Sequence, residues 1–496
     1  MTAEEIYKCH LKKNTPTYEK KLSAWSVSGL IAFTSDYGSI YLIHQNKPDL
    51  VFQVSLTTLE ATNVNEIMQS EKYFELKDKV TAINADSIKP QLTLDQMKDL
   101  KSDFVTLLAW QRNGPADFLL VGTNLGNVYS LSPWNQNVCL WSLKYKNNFG
   151  SKILNGMFLE QKQEYSYEET PVSNANYNRN SNPLNTAYGI RQGFFVVTGD
   201  SKIFLVNYTN SELHWKQSVV SEASFDSKPS TIASIALNSH CQVVLVYGNK
   251  QGNGNLKCCN IQFSISKTTK KTKLIYRFFD FQIEINRMND VPIPENSVTC
   301  MNFTGFFRPF HIVVYSNNKI TSFLWQDSNW RYHTETSIMS NVTDIIRPTF
   351  NPKSENFDDY AARGLPFLCH FWVVRDNSFE CLNSVTLEKI NDHHFSEELE
   401  SICVGPLAMS LFCLVVNNED LQFRVISTMQ YKNKIDDHFE THNVLSHKTS
   451  TRLLQYVKMP LTFAVHNNIT VFEILTNFIS KINIEDFIHN PFHMCK

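Results

Sequence analysis

The chain has little glycine: 16 residues in 496, against 34 Phe and 19 Tyr. A glycine-poor, aromatic-rich composition leans towards strands joined by irregular polar loops. Charge is scarce as well. Charged residues make up 19% and the formal net charge is −2, so there is no global field to draw in nucleic acid or to repel it. No apolar h-region opens the sequence, which begins MTAEEIYKCHLKKNTP, so a secretory signal is not expected. The longest apolar run, about Leu407 to Val416, is too short to span a bilayer. A soluble intracellular protein with no membrane partner is the expectation. The nucleotide signatures GxxxxGK[ST] and GxGxxG after a strand are missing, as is the GxSxG elbow. The 11 cysteines are odd in number, with no CxxC and one adjacent pair, Cys258 and Cys259. Secreted disulfide frameworks show even counts at short spacings, so reduced core thiols are expected. Four Asn-x-Thr sequons, at Asn207, Asn302, Asn341 and Asn468, fit chance occurrence in an Asn-rich chain.

What is present is a core's worth of apolar residues, 42%, and a repeat. The pattern is an apolar strand, a turn, a second apolar run, a turn rich in Gly, Asn and Asp, and a third run. Its clearest copies are Leu22 to Ile43 and Val105 to Leu131. Each carries a Trp, Trp25 or Trp110, shortly before its second run. Weaker copies occupy Phe194 to Tyr208, Ile232 to Tyr247 with the run after it, Val298 to Trp325, Val342 to Leu382, Leu399 to Ile426 and Leu453 to Ile474. The third runs centre near residues 40, 128, 203, 258, 320, 379, 423 and 471, roughly 44 to 88 apart, against about 40–45 for a regular WD40 blade. The fold class expected is all-β: a degenerate WD40-like β-propeller of about seven blades with long polar loop insertions. One of the eight units then shares a blade with the other terminus to close the ring. The WD dipeptide and GH signature are absent. A β-sandwich pair is the competing architecture.

The propeller is expected to span residues 20–475, with insertions near 60–101, 160–189 and 347–365 and a short tail over 476–496. The 160–189 stretch is polar, rich in Asn and Tyr, and reads as a disordered loop.

No catalytic, cofactor-binding or metal-binding residue is assigned. Gly248 to Asn255 bears glycines but joins two β-runs instead of opening a helix, so it is not a phosphate cradle. His438, His442 and His447 lie near Asp436, Asp437 and Glu440, but HFETH is not HExxH, and such groups in a polar loop are solvated. His489, His493 and Cys495 form a trio without a fourth ligand. Thr34, Asp36 and Gly38 resemble one Asp-box of sialidase propellers, yet Asp and Gly equally suit a tight turn. Trp25, Trp110, Phe194, Phe195, Phe371 and Trp372 lie on apolar runs and are expected in the core. Nucleic-acid binding requires basic residues interleaved with aromatics. Lys267, Lys270, Lys271 and Lys273 form the only dense basic run, which holds no aromatic; it reads as a solvated hairpin tip, with weak electrostatic contact or nuclear import as its functional alternatives. Direct nucleic-acid binding and a small-molecule ligand are therefore not expected.

The order of these pieces resembles the Mediator subunit 16 family. Trp25, Ser26, Gly29, Ile31 and Ala32 match that family's opening W-S-x-x-G-x-I-A strand pair. Trp110 matches its Trp-bearing strand, and Asn124, Gly126 and Val128 match the turn that follows. Asn182-Pro183, Gly193 to Val206, and the runs IASIALNSHCQVVLVY and LKCCNIQFSI occupy the next places, so the similarity covers residues 20 to 330. The resemblance implies a nuclear, non-enzymatic scaffold in the Mediator tail. Its partners would be other tail subunits and, indirectly, DNA-bound activators and RNA polymerase II. Family members run well beyond 496 residues and carry a helical C-terminal docking domain; no residue here matches that docking surface. The alternatives are a propeller scaffold of another nuclear assembly (an RNA polymerase III factor, a nuclear pore or a coat) and a propeller hydrolase with an axial site.

Overall fold

The computed structural model describes residues 4–427 apart from the segments 14–20, 27–28, 35–38, 45–46, 57–82, 85–103, 112–117, 135–136, 160–189, 211–217, 238–241, 272–274, 305–310, 339–340, 348–369, 406–409 and 418–419. The strands fall into seven antiparallel sheets. The first strand, β1 (Glu4–Lys13), belongs to the last sheet. Blade one is β2 (Ser23–Trp25), β3 (Leu30–Thr34), β4 (Ser39–His44) and β5 (Lys47–Ser55), with the two-residue β6 (Ile83–Asn84) on its outer edge. Blade two is β7 (Val105–Trp110), β8 (Leu119–Thr123), β9 (Asn127–Trp134) and β10 (Asn137–Asn148). Blade three is β11 (Ile153–Leu159), β12 (Ile190–Thr198), β13 (Lys202–Asn210) and β14 (Ser218–Ser224). Blade four is β15 (Thr231–Leu237), β16 (Gln242–Gly248), β17 (Asn255–Lys271) and β18 (Ile275–Pro294). Blade five is β19 (Val298–Phe303), β20 (His311–Ser316), β21 (Lys319–Gln326) and β22 (Asn329–Ser337). Blade six is β23 (Asp344–Ile346), β24 (His370–Val374), β25 (Ser378–Asn383) and β26 (Lys389–His394). Blade seven is β27 (Glu398–Val404), β28 (Ser410–Asn417) and β29 (Asp420–Ser427), completed by β1.

The first strand of every blade touches the first strand of the next: β2 with β7, β7 with β11, β11 with β15, β15 with β19, β19 with β23, β23 with β27, and β27 with β2. That closed ring of inner strands makes the molecule a seven-bladed β-propeller. Among the described residues the only helical piece is a 3₁₀ turn over Glu295–Ser297.

The period-two pattern explains the core. Each middle strand is buried on both faces because a blade lies on either side. Ile31, Phe33, Tyr41 and Ile43 pack with Phe412, Leu414 and Phe423 of blade seven. The alternate residues Leu30, Ala32, Ile40 and Leu42 pack with Leu119, Val121 and Leu131 of blade two. Similar wedges fill the gaps between the following blades as far as blade six. The six aromatics expected in the core are all buried. The seven expected third runs from 40 to 423 are the third strands β4, β9, β13, β17, β21, β25 and β29. The eighth, near 471, lies outside the described residues. Strand β1 closes the ring by pairing with β29 from Glu4↔Ser427 to Lys13↔Asp420. It precedes residue 20, so the propeller begins before the expected boundary.

A Gly-poor chain makes its tight turns with Asn, Asp and Ser. Asn317 and Asn318 take φ of 50° and 59° between β20 and β21, and Asp327 and Ser328 take 52° and 62° between β21 and β22. Short polar side chains tolerate this left-handed region. Gly126 is different: φ is 85°, and a Cβ there would meet the backbone nitrogen of Ser151 at 2.7 Å.

Candidate interaction surface

The propeller axis is where an enzyme of this fold would gather its acids and bases. The inner strands bring other chemistry to it. Their small polar groups bond from blade to blade. Trp110 Nε1 donates to the carbonyl of Ala24 at 3.0 Å, and Thr106 Oγ1 donates to that of Ile153 at 2.7 Å. Ser234 Oγ donates to Asn155 Oδ1 at 2.9 Å, and Asn302 Nδ2 donates to the carbonyl of Ile345 at 2.8 Å. Arg347, just after β23, reaches from blade six to the carbonyl of Ser234 in blade four at 2.9 Å. Ser23 and Ser401 join the first blade to the last, beside an ion pair between Lys21 and Glu400. These groups tie the ring together and form no nucleophile–base–acid set. Among the described residues no group of three or more His, Cys, Asp or Glu is placed to hold a metal.

The candidates weighed from sequence have the following positions. Gly248 to Asn255 does join β16 to β17, and its glycines are explained by Glu295. A Cβ on Gly252 would lie 2.7 Å from Glu295 Oε1, and Glu295 Oε2 accepts a bond from the Asn249 backbone N–H at 2.8 Å. The loop wraps a buried carboxylate of its own chain. Thr34 ends β3, and its hydroxyl accepts a bond from the backbone N–H of Leu22 at 2.8 Å; Asp36 and Gly38 lie outside the described residues. So do His438, His442, His447, Asp436, Asp437, Glu440, His489, His493 and Cys495.

The strand directions give the propeller two unlike faces. One carries the turns between second and third strands and the blade-to-blade connections. There, Phe149 N–H bonds to the Gly126 carbonyl, Gly199 N–H to that of Lys152 and Ile338 N–H to that of Asn318. Short turns bonded to short connections make this face compact around blades two, three and five, while the longer connection from β5 to β7, between Ser55 and Val105, also leaves from it. From the strand ends on the other face leave the long segments 160–189 and 348–369, the hairpin between β17 and β18, and the chain after β29. That second face is here called the arm face.

Blades five and six expose apolar groups on the arm face. Tyr332 is 57% exposed and Val385 42%. His333, next to Tyr332, brings its Nε2 to 3.0 Å from the Val385 carbonyl. The Tyr332 ring stands edge-on to Phe323 with centroids 6.4 Å apart. Behind His333 lies His311, ring centroids 5.5 Å apart. Burial, and secondarily the His333 charge, lower the His311 pKa to about 4, so it is a neutral, partly buried imidazole. Blade six neutralises its own charges: Glu380 pairs with Arg375 at 2.8 Å, and Lys389 with Asp392 at 2.7 Å. The exposure of Tyr332 and of Val385 carried no signal in the sequence, because a lone apolar group in a polar outer strand or turn looks like any other.

No protein-family model matches the chain, and no curated protein matches it. Solved structures of similar fold include Raptor of Chaetomium thermophilum, with TM-score 0.46 and 10% identity over 86% of this chain; this chain spans 29% of that one. The β-propeller domain of Cps50 (Swd1) from Myceliophteria thermophila gives 0.43 and 9%, covering 84% of this chain and 100% of that one. The WD40 domain of Neurospora crassa Pan2 gives 0.42 and 7%, covering 86% and 98%. The fold assignment rests on the strand order and the closed ring of inner strands, which make this chain a seven-bladed β-propeller.

Proposed function

We propose that this chain is a non-enzymatic scaffold, a propeller subunit of the Mediator complex in its tail module, working in the nucleus as a transcription coregulator. The observation that carries the scaffold reading is the use of the axial polar groups. Ser23, Thr106, Asn155, Ser234, Asn302 and Ser401 bond from blade to blade. A catalytic site at the axis would need such groups aimed at a substrate. The arm face, with its long connections and exposed Tyr332 and Val385, has the features of a surface that meets other proteins. Support for Mediator comes from the resemblance of residues 20 to 330, including the Trp25 and Trp110 strand pairs. Its mechanism would be assembly: holding neighbouring tail subunits through buried anchors, and so relaying signals from DNA-bound activators to RNA polymerase II. No cofactor, small-molecule ligand or membrane enters this reading.

The test is purification of the tagged chain from nuclear extract. Tail subunits in stoichiometric amounts support the proposal. A different stable nuclear assembly keeps the scaffold and removes Mediator. A monomer with hydrolase activity removes both.

A further inference from the structure

On the face opposite the arm face, turns between second and third strands are fastened to blade-to-blade connections. Two of these contacts carry opposite charge. At the entry to blade four, the Lys250 N–H bonds to Ser230 Oγ at 2.8 Å. That bond sets the turn of blade four against the connection that holds Lys228. At the exit from blade six, the Leu399 N–H bonds to the Asp376 carbonyl at 2.7 Å. That bond sets the turn of blade six beside Glu398. Lys228, Lys250, Asp376 and Glu398 are all exposed. Among the described residues, none of the four belongs to an ion pair, whereas their charged neighbours Arg375, Glu397 and Glu400 are matched by Glu380, Arg424 and Lys21.

The same polarity runs through the surrounding blades. The described side chains of blades two to four include eight Lys or Arg and six Asp or Glu, 8 − 6 = +2. Those of blades six and seven include four and eight, 4 − 8 = −4. Blade five lies midway between the two patches. Its turn on this face is Asn317 and Asn318, and the Lys319 beside it pairs with Glu335 at 2.8 Å, so the middle is neutral.

We infer that two copies of this chain associate through this face about a two-fold axis passing through blade five. Lys228 and Lys250 of each copy meet Asp376 and Glu398 of the other. A two-fold interface needs a surface that complements itself, and opposite charges on either side of the axis do so. Groups on the axis meet their own kind, so a neutral turn is what blade five must present there. A second copy supplies both complements at once. Exposed charge pairs are individually weak, so the association is reversible and sensitive to salt. The inference goes beyond the Mediator proposal and survives its failure, because tail subunits can co-purify with a single or a paired chain.

The test is sedimentation velocity of the purified full chain over a concentration series, at about 0.1 M and about 1 M salt, where the Debye length falls from about 10 Å to about 3 Å. A dimer is expected at low salt, with its dissociation constant at least tenfold higher at high salt. Lys228→Glu with Lys250→Glu makes both patches acidic, and Asp376→Lys with Glu398→Lys makes both basic. Each double variant alone should sediment as a monomer, and an equimolar mixture of the two should recover the dimer, which also shows that both are folded. A wild-type readout needs no variant. Isotopically light and heavy chains are mixed and joined by a carbodiimide, which links amines to carboxylates at contact distance. Light–heavy crosslinks should connect Lys228 or Lys250 to Asp376 or Glu398. A monomer at every concentration would leave this face to some other protein and overturn the inference. A dimer indifferent to salt and to both double variants, a mixture that stays monomeric, or light–heavy crosslinks confined to other residues would each overturn it too.

Discussion

The hydroxyls of Ser23 and Ser401, 378 residues apart in sequence, lie 2.7 Å from each other. They sit on the inner strands of the first and last blades, at the seam where the ring closes. Lys21 and Glu400 meet there at 3.3 Å, the Phe33 and Phe412 rings stack obliquely at 5.7 Å, and β1 pairs along β29. Ring closure thus depends on contacts whose partners are far apart in sequence, and such contacts are slow to form.

Ser23→Ala and Ser401→Ala should each cost about 1 kcal/mol, and their double mutant should show coupling of similar size. Deleting residues 1–13 should do far more, because it bares the edge of β29. Urea unfolding of the four cycle members and the deletion checks both. Additive serine effects would mean that the hydroxyl pair does not join the seam.

Between blades six and seven the packing includes a buried charge pair. Arg424 of β29 contacts the carboxylate of Glu397 and lies over the Phe395 ring at 5.8 Å. Both side chains are about nine-tenths buried. Arg424→Ala removes the counter-charge of the buried Glu397 carboxylate and should cost about 3–5 kcal/mol. Adding Glu397→Leu to Arg424→Leu should recover most of that loss. Equal stability of Arg424→Ala and wild type in denaturant titration would contradict the assignment.

His311 supplies a pH dependence. Its folded-state pKa lies near 4 because burial disfavours the charged imidazolium, whereas an unfolded histidine titrates near 6.5. Between those values the unfolded chain binds the extra proton, so stability rises with pH. The contribution is complete above about pH 6.5 and disappears as pH falls towards 4, up to about 3 kcal/mol. In urea titrations from pH 7.5 to 4, His311→Gln should show a shallower decline than wild type. Identical slopes would place the imidazole in water.

The described thiols Cys258, Cys259, Cys381, Cys403 and Cys413 are buried and unpaired by disulfides. Burial pushes Cys259 and Cys403 up to about 12, so neither offers thiolate at neutral pH. Iodoacetamide on the native chain, followed by peptide mapping, should leave both unlabelled until urea unfolds the protein. Rapid native labelling of Cys403 would mean that the interface of blades seven and one opens readily.

Much of this architecture was readable in advance, and the residues say why. The second and third strands lie between blades, so both faces are apolar: LIAFT, LLVGT and HIVVYS announce themselves. The fourth strands lie outside and do not. In β22 only Trp330 is buried among exposed or half-exposed neighbours, and in β26 only Asn391. Strand β1, EEIYKCHLKK, alternates too weakly to mark it as the closing strand, and its partner lies more than 400 residues along the chain. The exposed surface was the least legible part, since His333 meets the Val385 carbonyl only when blades five and six are side by side.

The central claim, a scaffold assembled into the Mediator tail, is tested most directly by quantitative mass spectrometry of complexes carrying the tagged chain, purified from nuclear extract. The account predicts tail-module subunits at a ratio near one to one with the chain, retained through gel filtration. A chain that elutes alone, or with an unrelated assembly, would contradict it.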